Sequence, residues 1–180
     1  MSHGEADARI IRATLNRLEQ YGPDYWTGYS YSWYANMLAR AFEGEKAADA
    51  LRTFASCFCL PNTFHVNGDQ SGTGKSKFTY RPFTLEGNFA FASGLQEMLL
   101  QSHTGVIRVF PAVPAAWQDI SFGNLRAVGA FLVSAERKGG KVVSLKVYSE
   151  RGGKLKIVSP VTGEVLSYDT NPGEWISVVG

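Results

Sequence analysis

The sequence predicts an α+β chain in which helical hairpins come first and a small antiparallel β-sheet or sandwich follows. Three observations carry this. Apolar residues recur at helical spacing from residue 8 to about 102, the period changes to two beyond Gly105, and paired glycines then separate alternating segments. The expected division is therefore a helical part over 1–104 and a β-rich part over 105–180.

In the first part, Ile11, Leu15 and Leu18 fall at i, i+4 and i+7, and Tyr21-Gly22-Pro23 stops that helix with a permissive residue and a breaker. Ser32 is the expected cap of a second helix, in which Trp33, Met37 and Ala41 share a face that Tyr34 and Leu38 widen, with Gly44 as its end. Ala47, Ala48, Leu51, Phe54, Ala55 and Phe58 define a third, closed by Pro61. A fourth is expected from about 88 to 102, with Phe91, Leu95, Met98 and Leu99 on one side. Short connections make these antiparallel hairpins, and their apolar faces are richer than four helices cover among themselves.

In the second part, Val106-Ile107-Arg108-Val109-Phe110 reads as a strand ended by Pro111 and Pro114. From Ala127 onward the chain repeats strand, tight turn, strand. Lys138-Gly139-Gly140-Lys141 and Arg151-Gly152-Gly153-Lys154 both suit two-residue hairpin turns that need positive φ. Val143, Leu145 and Val147 are expected on one face, with Ser144, Lys146 and Tyr148 on the other, the pattern of a sheet covered on one side.

Composition narrows the function classes. The chain has 180 residues, 44% of them apolar and 13% aromatic, enough for a packed core and unlike a disordered segment. Charged residues make up 19% with a balance of +2, so there is no basic field to drive binding to a phosphate backbone, and nucleic acid is not an expected partner. No apolar run approaches the roughly 18 residues of a membrane span, so no membrane partner is expected either. The N-terminal MSHGEADARIIRATL shows no apolar secretory segment. Cys57 and Cys59 are too close for an ordinary bridge and too few for a zinc site, and read as packed free thiols.

Three stretches carry candidate chemistry. Gly72-Thr73-Gly74-Lys75-Ser76 imitates the end of a phosphate-binding loop but fails on spacing: Asp69 stands where the first glycine is required, and the extended Lys77-Phe78-Thr79-Tyr80-Arg81-Pro82 follows where a helix should begin. The segment from Asn67 to Lys77 reads better as a mobile glycine-rich surface loop overhanging a cleft. From Tyr21 to Tyr34 there are seven aromatic residues in fourteen positions. Core packing accounts for most of them, but Trp26-Thr27-Gly28-Tyr29-Ser30-Tyr31-Ser32, read as a loop, mixes rings with hydroxyls in a way that suits stacking on sugar faces. In Arg81-Pro82-Phe83-Thr84-Leu85-Glu86-Gly87-Asn88-Phe89 a carboxylate stands at the start of a helix, where unpaired N–H groups favour an anion. On composition alone, support of the helix start outweighs a catalytic role for Glu86. Glu97 reads as solvent-facing in mid-helix, His103 as a partner for helix-end carbonyls, His65 as undecided, and His3 as part of a frayed terminus.

At this point the chain resembles a known family. Pro82-Phe83-Thr84-Leu85-Glu86-Gly87-Asn88-Phe89, the run from Gly94 to His103, Gly105-Val106-Ile107, Pro111-Ala112-Val113-Pro114, Trp117, Leu125-Arg126-Ala127 and Gly129-Ala130-Phe131 are similar, in order, to the closing portion of glycoside hydrolase family 95. The helix from Trp33 to Arg40 resembles the segment just upstream. The resemblance implies a toroid of paired (α/α) helices, of which these four would be the last, followed by a β-rich domain. It implies an α-L-fucosidase-type activity, on terminal α-L-fucose or α-L-galactose of oligosaccharides, with inversion at the anomeric carbon and without a cofactor or metal. Glu86 falls on the family's aspartate, which polarises the asparagines holding the attacking water, so Glu86 would be the catalytic residue here, supported by Asn88, with Trp26, Tyr29 and Arg81 contacting sugar.

Several departures accompany the match. Glutamate replaces aspartate at Glu86, adding a methylene that shifts the carboxylate by about 1 Å, a displacement large enough to matter for rate unless the site compensates. The general acid, the asparagine pair and an arginine-histidine motif lie upstream in the family and are absent from these 180 residues. Residues 65–80 form an insertion beside the expected cleft. The resemblance therefore implies a C-terminal fragment, inactive alone, whose partner is the rest of a catalytic domain, with a periplasmic or extracellular location and with homo-oligomers through exposed helical faces as an option. Two rivals are kept: a noncatalytic carbohydrate-binding or scaffold module, and a piece of a different toroid enzyme such as a lyase or phosphorylase.

Overall fold

The computed structural model describes residues 5–180, which divide into two compact units, the first ending at Met98 and the second Leu99–Gly180. The first holds four helices and the second antiparallel β-structure, an α+β chain in the expected order.

In the first unit α1 (Glu5–Tyr21), α2 (Gly28–Arg40), α3 (Gly44–Cys57) and α4 (Glu86–Leu99) follow one another. Gly22, at φ 70°, ends α1 with its N–H shared between the carbonyls of Leu18 and Glu19. Helix α2 begins earlier than the sequence suggests: its cap is Thr27, whose N–H donates to Ser30 Oγ at 3.2 Å, whereas Ser32 lies inside the helix, fully buried and donating to the Tyr29 carbonyl. The segment read as a sugar-facing loop is thus mostly helix. Its buried face is also rotated from the expected one. Tyr31, Ala35, Leu38 and Ala39 face inward while Trp33 stays 46% exposed. Ala35 faces α4, its methyl 3.6 Å from where a Cβ on Gly94 would lie, a spacing that leaves no room for an indole. Helix α2 stops at Arg40 rather than at Gly44, which is already the first residue of α3; Phe42, at φ 65°, makes the reversal between them.

Tyr31, Phe54, Cys57 and Phe58 form a core, with Trp26, Cys59 and Phe91 packed against it. Both cysteines are free thiols, Cys57 buried and Cys59 half-buried. Helix α4 starts at Glu86 and ends at Leu99, shorter at its C-terminal end than expected. Its buried positions are Gly87, Gly94 and Met98 rather than a row of large side chains, so it approaches its neighbours on glycines. A Cβ on Gly94 would lie 3.1 Å from Asn36 Nδ2 and 3.3 Å from a Leu51 methyl.

In the second unit a four-stranded antiparallel sheet is ordered β3 (Ile120–Ala127), β4 (Phe131–Lys138), β5 (Lys141–Ser149), β8 (Glu174–Val179). The hairpin β6 (Gly153–Val158) and β7 (Val165–Thr170) forms a second sheet, and short β1 (Leu100–Gln101) and β2 (Arg108–Val109) a third. Phe131, Val133, Ala135, Leu145, Val147 and Ile176 from the large sheet share one core with Leu155 and Ile157 of the hairpin. The alternation read from the sequence holds for Leu145 and Val147, but Val143 is exposed. The register jumps from Glu136↔Ser144 to Arg137↔Val142, and this bulge turns Val143 outward while Val142 packs toward the core.

The two Gly-Gly pairs behave differently. Gly139 and Gly140, at φ 53° and 77°, close the β4–β5 hairpin with Lys138 paired to Lys141. Gly152 and Gly153 do not close a hairpin, since β5 and β6 belong to different sheets. They carry the chain from one sheet to the other, and a Cβ on Gly152 would meet the Thr170 carbonyl at 2.9 Å. The strand expected over 106–110 is only two residues long. Val106 and Ile107 are buried before it, Ile107 exchanging hydrogen bonds with Lys156 and Val158, and Phe110 turns away at φ 52°.

Candidate active site

Residues 65–70 run antiparallel to 78–84. The N–H groups of Asn67, Gly68 and Asp69 donate to the carbonyls of Pro82, Tyr80 and Phe78 at 3.1, 2.9 and 2.8 Å. Gly68 is required there, because a Cβ would lie 2.5 Å from the backbone of 79 and 80. The Gly72-Thr73-Gly74-Lys75-Ser76 loop is the tip of this ribbon. Asp69, 5% exposed, fills the concavity: one carboxylate oxygen accepts from the Ser71 N–H at 2.8 Å and from its hydroxyl at 2.6 Å, the other from the Lys75 N–H at 2.8 Å. The protein's own carboxylate thus occupies the place a phosphate would take. Burial pushes the Asp69 carboxyl upward, but the hydrogen bonds from Ser71, Lys75 and Gly74 outweigh it and hold it below its ordinary value.

The expectation of a mobile overhanging loop is corrected by these contacts and by two more. Tyr31 Oη donates to the Lys75 carbonyl at 2.7 Å, and the Lys77 N–H to the Asp24 carbonyl at 2.7 Å, so the tip is fastened to α2 and to the connection that precedes it.

The base of the ribbon leads into α4. His65 is fully buried, stacked on Phe54 with ring centroids 5.2 Å apart. Its Nδ1 lies 2.7 Å from the Thr84 carbonyl. A carbonyl only accepts, so Nδ1 carries the proton and Nε2 presents a lone pair, which finds no hydrogen-bonding partner among the described residues. The ring fits because glycines flank it: a Cβ on Gly28 would come within 2.5 Å of Nε2, and one on Gly87 within 2.4 Å of Nδ1. Burial pulls the His65 pKa below its ordinary 6.5, against upward pulls from the Thr84 carbonyl and the Glu86 charge.

Glu86 is the first residue of α4, exposed, and its carboxylate accepts no hydrogen bond from the described residues. Its neighbours are fixed. Asn88 donates through Nδ2 to the Thr63 carbonyl at 2.9 Å and accepts the His65 N–H at 3.0 Å, so both ends of its amide hold the preceding loop against the helix start. Arg81 donates through Nε to Gln70 Oε1 at 2.7 Å, on the same ribbon. Tyr29 lies on the first turn of α2, 41% exposed. Trp26 packs edge-on against Tyr31 and Tyr34, with centroids 5.2 and 5.1 Å away, and lines a pocket to which Glu86, Arg81, Asn88 and Tyr29 do not contribute.

Such an arrangement offers an uncommitted carboxylate at a helix N-terminus on a backbone held from behind, which suits polarising a water or accepting a hydroxyl. Among the described residues no cluster of His, Cys, Asp or Glu is placed to hold a metal ion. Glu97 is not solvent-facing as expected: it pairs with Arg40 at 2.8 Å and its side chain is 19% exposed. His103 is exposed, and His3 lies outside the described residues. The sequence reading missed His65 and Asp69 as organising residues. The glycines at 28 and 87 were the available signal for His65, but they stand 37 residues before and 22 after it and say nothing in one dimension.

Known proteins resemble both parts of the chain. The model described as the glycosyl hydrolase family 95 catalytic domain matches residues 2–99, and that of the glycoside hydrolase family 95 C-terminal domain matches residues 101–174. The "Alpha-L-fucosidase 2" of Arabidopsis thaliana is 32% identical over 153 residues, which cover 84% of this chain and 17% of that protein. With the catalytic-domain match extending over more than half its length, the chain belongs to glycoside hydrolase family 95.

Proposed function

We propose that this chain is the C-terminal part of an inverting exo-glycosidase that removes terminal α-L-fucose, or the closely similar α-L-galactose, from oligosaccharides. Glu86 serves in it to orient and polarise the attacking water. The observation that carries the reading is the contrast between Glu86 and its surroundings: the carboxylate is exposed with no hydrogen bond from the described residues, while Gly87, Asn88 and Thr84 are each fixed against or bonded to His65. A group that merely supported the helix start would be expected to fold back on its N–H groups. The fucosidase name of the Arabidopsis relative supports the sugar class. Asn88 acts as a brace, and Tyr29 and Arg81 contact the sugar or its leaving group.

An inverting mechanism needs a general acid on the opposite side of the bond, roughly 6.5–9.5 Å from the base, to admit the water. That acid comes from a complementary part of the catalytic domain, and without it this chain turns over no substrate. In the complete protein Glu86→Gln lowers kcat by about 10²–10⁴-fold while leaving the melting temperature in place. The first-formed product, followed by NMR, is β-L-fucose. Wild-type turnover in the Glu86→Gln protein, or retention of configuration, would refute the assignment.

A further inference from the structure

Unit 1 carries a concave site to which Glu86 does not contribute. The pocket holds about 340 Å³ between α1, α2 and α3, at the small end of the roughly 300–1,000 Å³ usual for small-molecule sites. Trp26 and Tyr34 provide aromatic wall, and Glu19, Lys46, Asp49 and Thr53 stand around it.

The charges are already balanced. Glu19 Oε1 accepts from Lys46 Nζ at 2.8 Å and from Tyr34 Oη at 3.0 Å, and these two bonds, Lys46 first, hold its carboxyl below the ordinary value. Asp49 pairs with Arg52. A ligand bearing net charge would face a pocket whose ions have taken their partners. Two polar groups are not committed: the Trp26 indole N–H and the Thr53 hydroxyl make no hydrogen bond with described residues. An apolar aromatic surface beside one free donor and one free hydroxyl, with further carboxylate lone pairs behind, fits a small neutral molecule with one apolar face and a ring of hydroxyls.

We infer that this pocket is an accessory binding site for a single neutral pyranose, stacked on Trp26 and hydrogen-bonded to Thr53 and the Glu19 carboxylate. It is separate from the proposed catalytic position and does not depend on Glu86 having that role. Its effect would be to hold a glycan on the enzyme by a residue other than the one cleaved.

The test is an NMR titration of the ¹⁵N-labelled 180-residue chain with methyl α-L-fucopyranoside and methyl β-D-galactopyranoside, with galacturonate as charged comparator. One of the neutral sugars should shift the Trp26 indole and Thr53 amide signals saturably, and galacturonate should bind at least roughly tenfold more weakly. Thr53→Phe, which fills the space from a half-buried helix position and leaves Trp26 in place, should abolish the shifts. Thr53→Val should weaken binding by about tenfold or less, the loss of one hydroxyl. The titration should be unchanged in Glu86→Gln. The inference is overturned if neither neutral sugar gives a saturable shift, if galacturonate binds as well as they do, or if Thr53→Phe binds normally. It is equally overturned if the shifts fall on the Tyr148–Trp175 pair of the sheet, where Trp175 is exposed, or disappear with Glu86→Gln, since binding would then belong elsewhere.

Discussion

Asp69 lies within the ribbon and Glu86 follows it at the start of α4, and these two carboxylates are used in opposite ways. Asp69 is buried and accepts hydrogen bonds on both oxygens from the loop it organises. Glu86 is exposed and accepts none from the described residues, although the residues around it are held on several sides. A carboxylate whose lone pairs are satisfied by backbone contributes to the fold and has nothing left for a ligand. One left open on a fixed backbone has its interactions in reserve. The difference cannot be seen in residue type, and it follows from which N–H groups lie within reach.

The comparison is attacked most strongly through the frame behind Glu86. Gly87→Ala drives a methyl into the His65 ring, which cannot retreat because Gly28 closes the other side. The substitution should cost about 2–3 kcal/mol in chemical denaturation. A change within experimental error would mean that the ring is not clamped and that Glu86 has no rigid support. Removing the other carboxylate comes next. Asp69→Ala leaves the Ser71 and Lys75 N–H groups without their acceptor, and should cost about 2 kcal/mol, less than a fully buried case because water reaches the loop. If Asp69→Ala is neutral, the loop is held by Tyr31 and Asp24 alone.

Much of this was legible in one dimension. Helical spacing followed by a period of two reflects which faces meet a core, so the order of helices and strands and the hairpin at Gly139-Gly140 could be read directly. What failed depended on partners distant in sequence. Ser32 has the chemistry of a cap, but Thr27 stands where the chain enters α2 and Ser30 answers it. Trp33 belongs to an apolar stripe by spacing, yet the buried face of α2 runs through Ala35 and Ala39, with Ala35 set against Gly94 of α4, and Trp33 is turned outward. Val143 was displaced by one bulge. Of the candidate site, Glu86 and Asn88 were legible because motif and helix start coincide. Gly152-Gly153 has the same residues as Gly139-Gly140 and a different task, since hairpin or crossover is decided by which sheet the next strand joins.

Acid tests the Asp69 side of the comparison, with His65 acting in a higher window. The folded-state pKa of His65 lies below its ordinary 6.5, so above that value the ring is neutral in both states and costs nothing. Below it the unfolded chain takes up a proton that the folded chain refuses, and stability falls until the folded value is reached. Asp69 acts in a lower window. Its folded pKa lies below the ordinary 3.8, so its contribution is intact above 3.8 and is lost as the pH falls through the folded value. Urea titrations at stepped pH should therefore show two descents, the upper one absent in His65→Phe and the lower one in Asp69→Asn. A single descent in all three proteins would reject the assignment.

Glu86 should give the smallest effect. It stands in the first turn of α4, where its charge meets the helix dipole in contact with solvent, so Glu86→Gln should alter stability by no more than about 0.5 kcal/mol. A loss approaching that of Asp69→Ala would mean that Glu86 is bound into the fold as Asp69 is, and the lone pairs assigned to the attacking water would have to be reassigned to structure.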